Sequence, residues 1–429
     1  MKLLWLKNDL LHPVDKGGKI RTYELLRQLK RRHEVTYICL TTKDDLPDAK
    51  ERASEYSHRV LTTPWSEPER FSLGFYLDLA KNLASPLPYV LQKYRSPAME
   101  ELIRRELTSG RHDVVICDFL TPSPNLPRDI DCATVLFEHN VESILWQRHY
   151  QNARNPAKRA YFYAQWLKML RYERTECRWH DAVAAVSDND VRDFRTLYGI
   201  ADVYAVPTGV DTDYFSPLGA SATTYADGPR VVPTRQPREP YELVFTGSMD
   251  WLANEDAILY FAESILPSIA RQVPQVKVTV VGRNPTPRLH ALAEKNPRVT
   301  LTGRVDDVRP YIDRAGAYIV PIRVGGGTRL KIYEAMAMQR AVISTTVGAE
   351  GLPVVPGQDL LIADAPEEFA AQVIAVLRDE RLRTRLEEQA RATVCARFGW
   401  EQAAEAFTDV CRRAHAKFLQ RRGGVRVAA

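Results

Sequence analysis

The chain has 429 residues, more than a single hydrophobic core supports, so two domains are expected. At 45% hydrophobic and 26% charged residues the composition is that of a soluble globular protein, and no run of about 18 apolar residues is present to cross a membrane as a helix. The net charge of +5 permits an acidic partner (a nucleotide, an anionic lipid or a nucleic acid) without selecting one.

In chain order, KLLWL (2–6) reads as a buried strand. The apolar start is broken at once by Lys7, Asn8 and Asp9, so it reads as a first strand and not as a signal peptide. The polar loop 7–18 follows, then an amphipathic helix over 19–32 and the strand EVTYICL (34–40). Further apolar runs recur at 113–120, 133–139, 181–187 and 201–210, with helical stretches between them. Short continuous apolar strands alternating with helices imply a parallel sheet covered on both faces. From Ser216 to Pro240 the periodicity vanishes into Pro, Gly, Ala, Ser and Thr, the composition of a linker. Alternation then resumes: strands at 241–248, 276–282, 298–303, 317–322, 341–346 and 359–364, a helix over 254–272, and an almost wholly helical end from about Pro366 to Arg422. The expected domains are therefore 1–215, a linker over 216–240, 241–400, and a terminal helix and tail over 401–429 that packs back on the first domain. Both domains read as α/β and doubly wound, in which ligands bind outside the carboxyl ends of the strands. Cys39, Cys117, Cys132, Cys177, Cys395 and Cys411 show no metal or disulfide spacing, which reads as a reducing, cytoplasmic setting without structural zinc. No nucleic-acid module is recognisable.

The chemistry concentrates in RVGGGTRLKIYEAMAMQ (323–339). Gly325, Gly326 and Gly327 allow close backbone approach to a ligand. Thr328 is placed to cap a helix whose N-terminus offers unpaired N–H groups to a phosphate. Arg329 and Lys331 add charge beside a diphosphate. Glu334 lies three residues beyond Lys331, on the same helix side and one turn deeper, where a carboxylate accepts from a ribose diol. The alternative is a capped surface helix with an incidental Lys–Glu pair.

The wider segment GGGTRLKIYEAMAMQRAVISTTVGAEGL (325–352) resembles the donor-binding stretch of retaining glycosyltransferases of the family 4 type (glycosyl transferases group 1). HPVDKGGKIRTYELLRQLKRRHEV (12–35), LFEHNVES (136–143), AVSDNDVRDF (185–194), VPTGVDTDYF (206–215) and VFTGSMDWLANEDAILYFAESILP (244–267) resemble its other segments in order and spacing. The resemblance covers nearly all of residues 1–410, with a flavour of bacterial exopolysaccharide or envelope-associated sugar transferases. It implies the GT-B fold, two Rossmann-like domains facing across a cleft, with the acceptor on the first and the nucleotide sugar on the second. It also implies metal-independent transfer of a sugar from a nucleotide diphosphate to the hydroxyl of a glycan, lipid-linked or small-molecule acceptor, in polysaccharide or envelope glycoconjugate synthesis, with no cofactor. Two positions depart from the pattern. Gly326 stands where a carboxylate usually contacts the donor sugar, and the basic pair after the first strand of the second domain is replaced by Ser248 and Asn254, following Gly247.

The resemblance implies roles elsewhere. Asp15, Lys16, Gly17 and Gly18 form a strand-to-helix turn that approaches phosphate or acceptor, or is an ordinary loop. His139, at a strand's carboxyl end, is implied to contact the transferred sugar or the acceptor, although a lone histidine is more often structural. Glu138, Asn140 and Glu142 are weaker candidates beside it. Asp118 either faces the same site or caps a turn. Glu350 is a candidate donor-hydroxyl ligand in place of the carboxylate missing at Gly326, and Arg304 borders the base region or is solvated. Catalytic candidates are thus His139, Arg329, Lys331 and Glu334, with no metal ligand. Residues 151–180 carry seven Lys/Arg, two Glu and six aromatics, which fits either peripheral contact with the inner membrane's cytoplasmic face or a helix packing its rings inward. The alternatives in function are a non-catalytic nucleotide-sugar-binding partner of a glycan assembly complex and a GT-B nucleotide-sugar epimerase.

Overall fold

The computed structural model describes residues 1–14, 17–67, 72–110, 112–153, 155–219, 237–324 and 330–427. The chain divides into two compact units, Met1–Pro207 with Trp400–Ala429, and Thr208–Gly399.

The first unit holds seven strands: β1 (Lys2–Leu6), β2 (Glu34–Thr41), β3 (Arg59–Pro64), β4 (Val114–Asp118), β5 (Ala133–Glu138), β6 (Ala182–Ala185) and β7 (Val203–Ala205). Their order is β3-β2-β1-β4-β5-β6-β7, every neighbouring pair parallel. Strands β4, β5 and β6 are buried along their whole length, which is why they appear in sequence as unbroken apolar runs. The edge strand β3, RVLTTP, has no such run and was not anticipated; only Thr63 is buried in it. The run at 201–210 yields just three strand residues, Val203–Ala205, with the Val206 amide donating to Ala185 O beyond them. The last helix, Trp400–Val427, leaves the second unit and closes the first: Phe407 meets Trp5 at 5.2 Å and Phe137 at 5.1 Å, and Lys417 pairs with Asp202 at 2.6 Å.

The second unit holds β8 (Glu239–Thr246), β9 (Lys277–Val281), β10 (Val299–Leu301), β11 (Ala315–Val320), β12 (Val342–Ser344) and β13 (Leu361–Ile362), ordered β10-β9-β8-β11-β12-β13 and again parallel. Both sheets reverse direction of winding beside their first strand, between β1 and β4 and between β8 and β11. In doubly wound sheets that switch point, at the carboxyl ends of the strands, is where ligands bind.

Candidate functional site

At the switch point of the first unit, Lys7 follows β1 and Asp118 closes β4. Both are buried. Lys7 Nζ lies 3.0 Å from Asp118 Oδ2, to which Thr22 Oγ1 also donates at 2.6 Å and Trp5 Nε1 at 3.0 Å. Burial would raise the Asp118 carboxyl, but the Lys7 ammonium and the hydrogen bond from Thr22 outweigh it and hold the group ionised, well below the usual range. Asp118 therefore lies beneath the surface of the site, holding other residues.

The next residue, Phe119, adopts a φ of +69°, a region that bulky side chains rarely occupy. Such strain persists where surroundings over-determine it, commonly at functional sites. Here the Phe119 amide donates to Phe137 O at 2.8 Å, and its ring stacks on the His139 imidazole at 3.8 Å. Lys7 Nζ sits 4.4 Å from the Phe119 ring centre on the same residue. His139 is buried with Nε2 2.9 Å from Asp118 Oδ1, though off the line of a hydrogen bond, and Nδ1 has no hydrogen-bond partner among the described residues. Burial pushes the imidazole down to about 3 against the pull of Asp118, so it is neutral. An uncharged ring with Nε2 facing a carboxylate carries its proton there, leaving Nδ1 as an acceptor.

Gly18, near the start of the helix Gly17–Lys30, completes this wall: a Cβ there would stand 3.2 Å from Phe119 Cζ and 3.9 Å from His139 Nδ1. Gly17 borders open space, and Asp15 and Lys16 lie outside the described residues. Arg21, one turn along, is lowered to about 10 by burial, with Asp118 and Asp190 opposing, and stays charged. Glu138 faces other company. Both its carboxyl oxygens lack hydrogen-bond partners among the described residues, and burial with the nearby charges of Glu173 and Glu142 raises it well above the usual range. Glu142 is pushed up to about 7 by burial and by Glu173, and Asn140 is half-buried.

At the switch point of the second unit the strand ends close up. Gly247 follows β8 and Gly282 follows β9; a Cβ on Gly282 would fall 1.6 Å from Gly247 O, so only glycine fits. A Cβ on Gly247 would reach 2.7 Å from Asn254 Nδ2 and 2.9 Å from Lys331 Nζ. Lys331, in the helix Leu330–Ala337, donates to Asn254 Oδ1 at 3.0 Å and lies 4.1 Å from the Phe245 ring centre. Asn254 in turn donates from Nδ2 to Ser248 O at 2.8 Å, which fixes its amide so that oxygen faces the ammonium. The Ser248 hydroxyl is engaged elsewhere, donating to Asp250 at 2.6 Å and accepting from Arg283 at 3.0 Å.

Glu334 lies one turn beyond Lys331, half-buried, its carboxylate taking no hydrogen bond from any described residue. Burial pushes its carboxyl up to about 7, with Lys331 opposing. Tyr318 and Thr246 share a 2.5 Å hydroxyl pair nearby, and the Glu334 charge adds to the burial that keeps the Tyr318 hydroxyl protonated.

The structure thus brings Gly247, Asn254, Lys331 and Glu334 together. Arg304 and Glu350 stand exposed on the loops after β10 and β12. Gly325, Gly326, Gly327, Thr328 and Arg329 lie outside the described residues. Lys7, Arg21 and Phe119 were not singled out from sequence; a lysine directly after the first strand was the available signal for Lys7. Among the described residues no group of three or more His, Cys, Asp or Glu could hold a metal ion.

Comparison with known proteins places these segments. Residues 16–214 match the model of Glycosyltransferase Family 4, and residues 240–379 match that of Glycosyl transferases group 1. The chain is 30% identical over 247 residues to a D-inositol 3-phosphate glycosyltransferase of Xylanimonas cellulosilytica, covering 54% of this chain and 57% of that one. The matches to two curated relatives span only 36% and 57% of their lengths. Among solved structures, a sucrose-phosphate synthase from Thermosynechococcus elongatus superposes with a TM-score of 0.66 at 18% identity, covering 97% of this chain and 99% of that one. The Anabaena protein HepE, in complex with UDP and glucose, superposes with a TM-score of 0.60 at 14% identity over 95% and 98%. These likenesses establish the GT-B fold.

Proposed function

Because the chain belongs to the family 4 and group 1 glycosyltransferases, we propose that it moves a sugar, with retention of configuration and without a metal, from a nucleoside diphosphate to an acceptor hydroxyl. The observation that carries this reading is the seat of Lys331: a cation fixed by Asn254 over Phe245 and Gly247, with an unpartnered carboxyl at Glu334 one turn away. An ammonium and a carboxyl at that spacing complement a diphosphate and a ribose diol in turn.

In the proposed reaction the bond from the anomeric carbon to the diphosphate breaks while the acceptor oxygen bonds to that carbon from the same face. The acceptor proton passes to the departing phosphate. Negative charge grows on the diphosphate, so stabilisation falls to Lys331, to Arg329 and to the N–H groups at the helix entrance. Lys331 takes over the charge that Ser248 and Asn254 do not supply, and Asn254 serves by holding it. On the first unit, His139 Nδ1 is an acceptor for a sugar or acceptor hydroxyl, with Asp118 and Lys7 setting its tautomer. HepE is described with UDP and glucose and the curated relative acts on an inositol phosphate, which supports the substrate classes named here.

Thermal shift against a panel of nucleotide sugars identifies the donor, since a ligand of the folded state raises its stability. Incubation of that donor with candidate acceptors in excess chelator, with the product anomer read by NMR, tests the rest. An inverted product, or activity lost to chelator and restored by a divalent cation, overturns the mechanism.

A further inference from the structure

The helix Leu73–Leu83 in the first unit is built inside out. Its one buried residue is polar: Asn82 donates to Leu87 O at 2.9 Å and to Gln92 Oε1 at 2.7 Å, and accepts from Gln165 Nε2 at 2.8 Å. Its outward side is apolar, with Leu73 77%, Leu83 62%, Tyr76 54% and Leu77 51% exposed. A helix of a globular protein ordinarily turns that stripe to the core.

Gln165 and Lys168, whose Nζ donates to Asn82 O at 2.6 Å, bring the end of this helix onto the middle of the helix Pro156–Trp179. At that point Tyr163 and Leu167 are also exposed. The charge of the longer helix is one-sided. Its only two acids, Glu173 and Glu176, are fully buried, whereas Lys158, Arg159, Arg171, Arg174 and Arg178 are exposed. Of the six aromatics in 151–180 only Tyr163 is exposed: Trp166 stacks on Tyr150 at 5.9 Å, and Phe162 lies against His149 and Trp146.

We propose that this face, exposed leucine and tyrosine beside exposed cations, docks the protein on an anionic lipid surface. Apolar side chains enter the interface while the cations meet headgroups, the arrangement of an interfacial helix. No helix among the described residues is long and apolar enough to cross a membrane, so the contact lies on the surface. A second copy is a poor occupant, because pairing through this face would set like cations against each other. The inference is independent of the donor site.

The test is flotation of the full chain with vesicles of phosphatidylcholine, alone or with one third phosphatidylglycerol. Binding is expected only to the anionic vesicles and should weaken with salt. Leu73→Gln with Leu77→Gln, both already exposed, should weaken binding roughly tenfold or more while leaving the nucleotide-induced thermal shift intact. Arg171→Glu with Arg174→Glu should weaken it as well. Equal binding to both vesicle types, binding to neither, or unchanged binding by the leucine variant overturns the proposal. So does a concentration-dependent dimer that the leucine variant abolishes, which would make a second copy the occupant.

Discussion

Gly247→Ala isolates the seat of Lys331 from the rest of the fold. The new Cβ would stand 2.7 Å from Asn254 Nδ2 and 2.9 Å from Lys331 Nζ, each well inside van der Waals contact. Both obstructing atoms are ends of side chains, so they yield and the sheet survives. The backbone φ of +156° adds strain, and the two together cost about 1–3 kcal/mol of stability. The larger effect falls on function, because the ammonium leaves its place. Losing one charge-assisted hydrogen bond to a diphosphate costs about 1.5–3 kcal/mol, or roughly tenfold to a hundredfold in Kd. The assay is calorimetric titration of the nucleoside diphosphate that gives the largest thermal shift, with the unfolding midpoint measured alongside. Gly423→Ala, in the last helix, is the control, since its Cβ meets open space. If folded Gly247→Ala protein binds within twofold of the wild type, Lys331 is not the phosphate cation.

Three further outcomes follow from the buried charges. Glu334, held near 7 in the fold against an ordinary value of about 4.5, stabilises the fold fully below 4.5 and loses that contribution as pH rises through 7. Urea unfolding should show up to about 3 kcal/mol of this slope between pH 5 and 8, and Glu334→Gln should flatten it; an unchanged slope refutes the assignment. Asp118→Asn leaves Lys7 buried without a counter-charge and should destabilise the first unit by about 3–5 kcal/mol, most of it recovered by adding Lys7→Met. A loss below about 1 kcal/mol in the single variant would show that the pair is solvated. His139, neutral above about pH 4 because burial holds it near 3, should contribute no limb to kcat/KM between pH 5 and 8. His139→Ala should lower kcat by roughly tenfold, one hydrogen bond's worth, without changing nucleoside diphosphate affinity, and a matching loss of that affinity would move His139 out of its assigned role.

What could be read from the sequence followed from burial on both faces. Strands β1, β2, β4, β5, β9 and β11 are mostly apolar runs because nearly all of their residues are buried, and such runs need no tertiary knowledge. Strand β3 is half-exposed at an edge, so its residues carry no comparable constraint. The same contrast holds at the site. Lys331 and Glu334 were legible because helical spacing alone puts them on one side of one helix. The left-handed turn at Phe119 was not, since glycine, asparagine or aspartate would be the sequence signal and a phenylalanine gives none. Asp118 could be placed at a strand end but not beneath one: its four partners come from β1 and the residue after it, the Gly17–Lys30 helix and the residue after β5. Likewise the leucines of 73–83 have the composition of a buried helix, and only the hydrogen bonds of Asn82 reveal which side faces inward.

The departure from the family pattern at Ser248 and Asn254 has a physical reading. Replacing a basic pair on the β8 loop by Ser248 and Asn254 removes two cations, yet the geometry turns Asn254 into the acceptor that holds a third, Lys331, within reach of Gly247. An amide can do this because its other end is tied to Ser248 O; an arginine or lysine at position 254 would instead repel Lys331. Asn254 and Lys331 are therefore alternatives to the basic pair as a unit, and neither substitutes alone. This predicts non-additivity. Asn254→Ala should weaken diphosphate binding only when Lys331 is present, and in a Lys331→Met background it should change little. A double variant that loses the sum of the two single effects would show that Asn254 meets the phosphate by itself, and the charge would then have to be sought among the cations of another loop.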